Sequence, residues 1–383
     1  IPYILEDLQL VNPTNLLAVP TLYKKVYDGV HNLMDSSSPI KLRLMKKALA
    51  LGRKNADAKK GLAEMGMIET LQHQALDAMV LSKIRGKFGS RLKHGFVAGA
   101  ACPTECIHFF DSVGIPICEG YGLTETSPII AINRPEDRSP GHVGKTIPGV
   151  TVVIMGEDGV PVPPGQEGEI CCYGPNVMRG YYKNVEATEE VMSPGPYGER
   201  LFHTGDLGRM TEDGWLAVTG RLKEQYKLEN GKYVCPTPIE EAIGMSRFIS
   251  QVVLCGANRP YNVALIVPDW DAIRLELKVE LNEEQNSSDD ANMEMHLKLM
   301  NDERVQSLLA TDIAEKCKGL KKFEIPRDFA CVAPFTAANN MITPKMSIRR
   351  HVVMDAYEDL IDSMYTSREE TVGHSNASRP IPA

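Results

Sequence analysis

Three kinds of chemistry fall within five residues of the run Glu119-Gly120-Tyr121-Gly122-Leu123-Thr124-Glu125-Thr126-Ser127-Pro128. Tyr121 offers a flat ring on which a base can stack. Thr124 brings a hydroxyl for a phosphate, and Glu125 a carboxylate, a hard oxygen ligand for a cation such as Mg²⁺. Gly120 and Gly122 open a turn that lets backbone come close to a ligand. The apolar run Ile115 to Cys118 leads in and predicts a strand, and open α/β sheets bind ligands at strand carboxyl ends. A Mg-nucleotide suits this set. The competing reading is an ordinary Gly-rich β-turn with an N-cap Thr.

Other segments fit the same ligand. Gly99-Ala100-Ala101 follows Phe96-Val97-Ala98, so small residues could let an adenine lie against backbone; the alternative is a tight strand–helix turn capped by Thr104. His203-Thr204-Gly205-Asp206 sets a carboxylate after a glycine, where it could take both hydroxyls of a ribose, or serve as a turn Asp. Gly220-Arg221-Leu222-Lys223 follows a strand at a change of composition, where surface basic residues are the plainer account.

The elements around these residues predict an α/β protein. Helix, strand and helix are expected over Pro2–Leu10, Leu16–Val19 and Leu22–Met34. Residues 36–88 read as polar and helical, broken at Gly52, Gly61 and Gly66. Short strands at Arg91–Phe96 and Ile115–Cys118 flank a helix over Thr104–Ser112, an alternation that predicts a mostly parallel sheet layer. From Gly141 to Gly220 Pro and Gly recur between short β-rich runs, Thr151–Met155, Glu169–Tyr173 and Trp215–Thr219, predicting a distorted β-barrel subdomain. A smaller α+β domain follows, with strands Gln251–Cys255 and Asn262–Val267. Val305, Leu308, Leu309, Ile313, Cys317 and Leu320 mark one face of a helix there. Glu280–Asn292 reads as an acidic surface loop. The expected division is 1–140, 141–220, a hinge at 221–223, 224–365, and a loose tail at 366–383.

The chain has 383 residues, enough for two or three domains. A formal net charge of −8 argues against bulk binding to nucleic acid. No apolar run approaches the ~20 residues of a membrane span. Nine cysteines without a CxxC pair point to an intracellular, reducing compartment. Residues 41–60 carry eight Lys or Arg against one acid. Leu42, Met45 and Leu49 share a helical face there. The segment is therefore either a peripheral membrane helix, placing the protein on an organelle surface, or a solvated helix packed on its domain by that face.

In this order the segments resemble the adenylate-forming superfamily of acyl- and aryl-CoA synthetases, luciferases and adenylation domains. Glu119–Pro128 resembles its adenine and magnesium motif, Glu167-Gly168-Glu169-Ile170 with Gly174–Tyr182 its β-subdomain motif, Thr204-Gly205-Asp206 its ribose motif, and Gly220-Arg221 with Lys223 its hinge. Within it the chain looks like a long-chain fatty acyl-CoA synthetase. Ala18-Val19-Pro20 with Lys25–Val30, the segment Leu81–Arg85 closing a helical insertion, and Lys227–Val234 carry that likeness.

The resemblance implies ATP-dependent activation of a long-chain fatty acid: acyl-adenylate and pyrophosphate form first, then coenzyme A displaces AMP to give acyl-CoA. Tyr121 would stack on adenine opposite Gly99, Ala100 and Ala101. Thr124 would hold the α-phosphate, Glu125 the Mg²⁺, and Asp206 with Arg221 the ribose. Lys223 would sit at the hinge of a mobile C-terminal domain. Lys227 and Gly231 would serve its second conformation, Gly231 letting the pantetheine arm pass, and the acyl tunnel would be bounded in part by Gly120 and Tyr121. The family's phosphate loop (T-S-G-T-T-G-x-P-K) and aromatic gate helix are not in the sequence. The chain is thus expected to be a C-terminal part of such an enzyme, inactive in adenylation alone. At the family's C-terminal lysine position stands Ser347; Lys345, on the same face of an extended segment, is the candidate substitute. Two alternatives stay open: a silent fragment or pseudoenzyme that binds AMP or acyl-CoA, and a CoA ligase for another carboxylic acid.

Overall fold

A computed structural model describes residues 4–100, 102–195, 198–278, 299–300, 302–343 and 347–371. Two compact units result, Ile1–Thr219 and Gly220–Ala383, with the boundary inside one strand, Leu216–Arg221. Ala101, Lys345 and the expected acidic loop Glu280–Asn292 lie outside the described residues, as do residues 372–383 of the expected tail.

The first unit begins α1 (Ile4–Val11), β1 (Asn15–Ala18), α2 (Pro20–Asp35), α3 (Pro39–Lys59), α4 (Met67–Leu76), a π-helical turn at Asp77–Leu81, α5 (Ser82–Gly86), β2 (His94–Val97), α6 (Thr104–Val113) and β3 (Ile117–Tyr121). β1, β2 and β3 pair in parallel, and β4 (Ala131–Ile132) and β5 (Lys145–Thr146) extend the sheet antiparallel. Parallel strands need helical crossovers, which cover the sheet and bury its apolar residues. Tyr23, Phe88 and Phe110 form the aromatic centre of that core, their rings 5.4 to 6.4 Å apart. Asp111 on α6 is buried but paired, 2.5 Å from Arg138, whose guanidinium also donates to the Ile117 carbonyl of β3.

α3 runs through Gly52 without the expected break. A Cβ at Gly52 would sit 2.0 Å from the Ser112 carbonyl oxygen, so the glycine marks a close approach to α6 rather than a helix end. The turn after α3 does fall at Gly61, where φ is +72°. Met45 is buried and Leu42 and Leu49 are half-buried in the core shared with α2 and α6. On the same helix Arg53 pairs with Asp57 and Lys54 with Glu69 of α4. The apolar face of the basic helix is thus occupied by its own domain.

The β-rich part of this unit holds β6 (Thr151–Met155), β7 (Gly168–Tyr173), α7 (Val185–Glu190), β8 (Met192–Pro194), β9 (Arg200–Met210) and β10 (Leu216–Arg221). Their order is β10-β9-β7-β6, with β8 on β9: an open, mixed-length antiparallel sheet that does not close into a barrel among the described residues.

The second unit opens with a small hairpin, β11 (Tyr226–Lys227) and β12 (Tyr233–Val234), then α8 (Pro236–Gly244), β13 (Ile249–Cys255), β14 (Val263–Pro268), α9 (Trp270–Leu277), α10 (Glu303–Lys316), β15 (Asp328–Cys331), α11 (Arg350–Ala356) and α12 (Glu358–Thr371). β14 is central, antiparallel to β13 and parallel to β15, and every residue in it is buried. Its alternate side chains feed two separate cores: Ala264 and Ile266 pack with α8 and α10, Val263 and Leu265 with α11 and α12. Residues 366–371, expected as the start of the tail, instead continue α12 to Thr371.

Two glycine substitutions separate crowding from helix propensity. Gly52→Ala should lower the stability of the first unit by about 1–3 kcal/mol through overpacking against Ser112. Gly29→Ala, at a helical position with nothing within 4 Å of the added Cβ, should be neutral or stabilise by up to about 1 kcal/mol. Urea unfolding of both variants checks this; equal effects would remove the packing account of Gly52.

Candidate functional site

β2 and β3 are parallel neighbours, so their carboxyl ends lie at one edge of the sheet. Gly99 and Ala100 follow β2 and are exposed; Gly99 has φ +86°, a conformation that favours glycine. Tyr121 ends β3. After it the chain folds back sharply: a Cβ at Gly122 would lie 1.8 Å from the Pro128 carbonyl oxygen, so only glycine permits this return. The return is held by Thr126, fully buried, whose hydroxyl accepts from the Leu123 amide at 3.0 Å and lies 3.1 Å from the Pro128 carbonyl. The fold leaves Thr124 exposed and Glu125 half-buried on the short 3₁₀ turn between them.

Glu125 is steered by Tyr181, whose hydroxyl donates to Oε1 at 2.9 Å, while the Met178 amide donates to the Glu125 carbonyl at 2.7 Å. The neighbouring carboxylate, with some burial, raises the Tyr181 phenol, burial being the larger cause. A single donor on one oxygen leaves the carboxylate capacity to spare. With the Thr124 hydroxyl exposed on the same turn, the donor set is all oxygen and fits a hard divalent cation.

Tyr121 is joined to the ribose motif. Its hydroxyl donates to Asp206 Oδ2 at 2.8 Å, and Asp206 is buried. Burial and then the Asp206 carboxylate push the phenol far above its ordinary range, so it stays a donor. Tyr121 is partly buried against two apolar clusters, one of Ile130, Val150, Cys172 and Phe202, the other of Ala131, Ile154, Ile170 and Leu216.

Asp206 reaches Tyr121 because β9 bulges. Glu169 of β7 faces Leu207 and Cys171 faces His203, so Thr204, Gly205 and Asp206 stand opposite Ile170 alone. Gly205 takes φ +71° to make this possible. The bulge is pinned from below: the Thr204 hydroxyl donates to the Ile170 carbonyl at 2.7 Å and accepts from the Asp206 amide at 3.1 Å. Glu169 Oε1 accepts from the Gly205 amide at 3.0 Å, and Oε2 lies 2.8 Å from His203 Nδ1. An ionised carboxylate only accepts, so Nδ1 donates to it, while Nε2 lies 2.7 Å from the Ser193 hydroxyl. Glu169, Cys171 and His203 place one ligand atom each within 4.8 Å of one another, a spacing a metal could bridge. The same three groups are joined at hydrogen-bond distance, with His203 Nδ1 2.8 Å from Glu169 Oε2 and 3.4 Å from Cys171 Sγ, and so form a brace.

In the second unit Lys227 and Gly231 come together. The hairpin sets Lys227 opposite Tyr233, with the Lys227 ammonium 5.5 Å from that ring. Gly231, at φ +83°, closes the turn, and a Cβ there would lie 3.7 Å from Lys227 Cε. Both are exposed, as are Arg221 at the end of β10 and Lys223 on the short turn that follows. A polar cavity of about 290 Å³ opens elsewhere, between the helical insertion and the end of α6, where Arg85 grips Asp77 at 2.6 Å; none of the sheet-edge or hairpin residues above lines it. Read from the sequence alone, Thr126, Glu169, Tyr181 and His203 have no role of their own. Only their pairing across the sheet reveals them.

Residues 2–182 match the family described as AMP-binding enzyme, and residues 223–369 the AMP-binding enzyme C-terminal domain. Long chain acyl-CoA synthetase 7, peroxisomal, of Arabidopsis thaliana is 29% identical over 393 residues, covering 99% of this chain and 51% of that protein. Long-chain-fatty-acid–CoA ligase 5 of Mus musculus is 30% identical over 378 residues, covering 95% and 51%. The chain therefore spans about half the length of these relatives. Among solved structures, the A-PCP didomain of the carboxylic acid reductase from Segniliparus rugosus, in complex with AMP, superposes with a TM-score of 0.66 at 22% identity, over 96% of this chain and 44% of that one, and so shares the fold.

The two tyrosine links should differ in worth. Tyr121→Phe removes a donor from a buried carboxylate and should cost about 1–3 kcal/mol of the first unit's stability, whereas Tyr181→Phe, at an exposed pair, should cost under about 0.5 kcal/mol. Urea unfolding of both variants measures it; a Tyr181→Phe loss equal to that of Tyr121→Phe would contradict the burial argument.

Proposed function

The chain belongs to the AMP-binding, adenylate-forming enzyme family, and from that premise we propose that it is the nucleotide- and coenzyme A-handling part of a long-chain fatty acid–CoA ligase. The observation that carries this reading is the Tyr121–Asp206 link at 2.8 Å, which joins a base-stacking ring to a ribose-binding carboxylate on one rigid support. Adenine lies against the Tyr121 ring, with Gly99 and Ala100 at the same sheet edge. The ribose hydroxyls go to Asp206 and Arg221, and the Thr124 hydroxyl donates to the α-phosphate. The fatty carboxylate attacks that phosphorus, and acyl-AMP and pyrophosphate result. Glu125 and Thr124 would hold the Mg²⁺. When bound, such an ion neutralises phosphate charge that builds during nucleotidyl transfer.

Thioester formation falls to the second unit's residues. Lys223 marks the hinge for domain movement between the half-reactions. The exposed hairpin supports a role for Lys227 and Gly231 with coenzyme A, since a glycine at φ +83° leaves backbone bare for the pantetheine arm. Lys345 is retained as the adenylation lysine. The long-chain substrate is supported by relatives named for it. A second reading, binding without turnover, is favoured by one feature: Ser347 stands where the family carries its C-terminal lysine. A reducing, intracellular location is supported by nine free cysteines. Among the described residues no helix is long and apolar enough to cross a membrane. Contact with an organelle surface through residues 41–60 would rest on the exposed Lys41, Arg43, Lys46 and Lys47, since the apolar face is packed inward.

Calorimetry with AMP tests the reading on this chain. Wild type should bind AMP, and Tyr121→Ala should weaken binding at least about tenfold through lost stacking. Mg²⁺ should strengthen ATP binding, and Glu125→Gln should abolish that gain while leaving AMP binding intact. Extended by a relative's upstream half that carries the phosphate loop, the chain should form AMP from ATP, palmitate and coenzyme A. Binding of AMP with no turnover in the extended protein would favour the second reading; no AMP binding at all would sink both.

A further inference from the structure

Resting on the nucleotide reading above, we propose that Glu169 is a positioning residue for ribose recognition, holding the β9 bulge in the one shape that presents Asp206. A bulge breaks the ladder, and the amides inside it lose their cross-strand acceptors. The Gly205 amide is such a donor, and Glu169 Oε1 supplies its acceptor at 3.0 Å. Glu169 can do this because it and Cys171, two apart on β7, share the sheet face on which His203 also stands.

The second oxygen fixes the carboxylate itself. Oε2 is held by His203 Nδ1 at 2.8 Å, and the ring is held in turn by Ser193 at 2.7 Å. His203 also anchors the strand through its amide, which donates to the Val191 carbonyl at 2.9 Å. Orientation thus passes from Ser193 to His203, to Glu169, to Gly205, and ends one residue from Asp206. At Gly205 an added Cβ would meet open space, so the glycine answers to its φ of +71° and not to crowding. A backbone held at such an angle stays there only when its surroundings over-determine it. Three bonds do so here: Thr204 to Ile170, Asp206 to Thr204, and Gly205 to Glu169. The first two are made by the bulge to its own strand and its neighbour's backbone. Of these three, the third comes from a side chain outside the bulge and is charge-assisted, while Tyr121 ties the bulge at the Asp206 carboxylate.

Because Glu169 acts through Asp206, its loss should fall on the ribose hydroxyls and spare the base. Calorimetry of the full chain with AMP and with 2′,3′-dideoxy-AMP separates these. Wild type should prefer AMP. Glu169→Ala should weaken AMP about tenfold while changing the dideoxy analogue by less than about twofold, the size of one lost charge-assisted bond. Glu169→Gln should keep most of the preference, since its amide oxygen still accepts from Gly205 and its amide nitrogen can donate to a His203 of reversed tautomer. Amide hydrogen exchange without ligand should quicken at Gly205 and Asp206 in Glu169→Ala and much less in Glu169→Gln. Equal losses for both nucleotides, or a preference kept in Glu169→Ala, would overturn the role. Unchanged exchange with nucleotide binding intact would overturn the brace alone. A wild-type chain that binds neither nucleotide would overturn the nucleotide reading, and the role with it.

Discussion

The Tyr121 hydroxyl donates to Asp206 across 2.8 Å, from the end of one sheet to a bulge in another within the same unit. Such a bond contributes about 1–3 kcal/mol when its acceptor is a buried charge. Burying an aromatic side chain among Ile130, Phe202, Ile154 and Leu216 contributes a comparable or larger amount without direction. The two effects divide the work. Apolar packing brings the sheets to a fixed separation, and the hydrogen bond chooses which way ring and carboxylate face. Remove the packing and there is no fixed distance; remove the bond and the ring loses its tie to Asp206.

Everything else at the sheet edge follows from two tight places in the backbone. Gly122 has to lack a side chain because the Pro128 carbonyl occupies that space. The forced return lifts Thr124 and Glu125 out of the sheet, where Tyr181 catches the carboxylate. Gly205 has to hold a positive φ because three residues must fit opposite one. In each place one buried or bracing side chain, Thr126 or Glu169, stabilises the unusual backbone. Preorganisation of this kind lets binding groups wait in position without reorganising when the ligand arrives.

Much of this was legible in the residue order, and what escaped did so for physical reasons. Strand–helix–strand alternation around Thr104–Val113 predicts β2, α6 and β3 because apolar period and turn residues are local signals. Gly52 misleads for the same reason: a local rule reads glycine as a helix break, while its role here depends on Ser112, sixty residues on. The β-rich segment gave strands correctly but implied a barrel, since closure depends on pairing between strands distant in sequence, and the pairing stays open. Tyr121, Thr124, Glu125 and Asp206 stand out as types with chemistry. Thr126 and Glu169 do not, since a buried hydroxyl and a strand glutamate become informative only once their partners are known.

Each unit rests its chemical residues on its own core. In the first, Tyr121, Glu125 and Asp206 are held by Thr204, Glu169, Tyr181 and the clusters around them, all within Ile1–Thr219. In the second, the Lys227–Gly231 hairpin stands on Leu228 and Val234, both buried in the core beneath β13 and β14. That core is tied to α11 by Glu240, which accepts from the Leu254 amide and, on its two carboxylate oxygens, from one guanidinium nitrogen of Arg350 at 2.6 and 2.7 Å. Burial raises the Glu240 carboxyl and Arg350 opposes it, so the pair is held by geometry rather than by cheap solvation. The side chains that set each unit's geometry thus belong to that unit's own core.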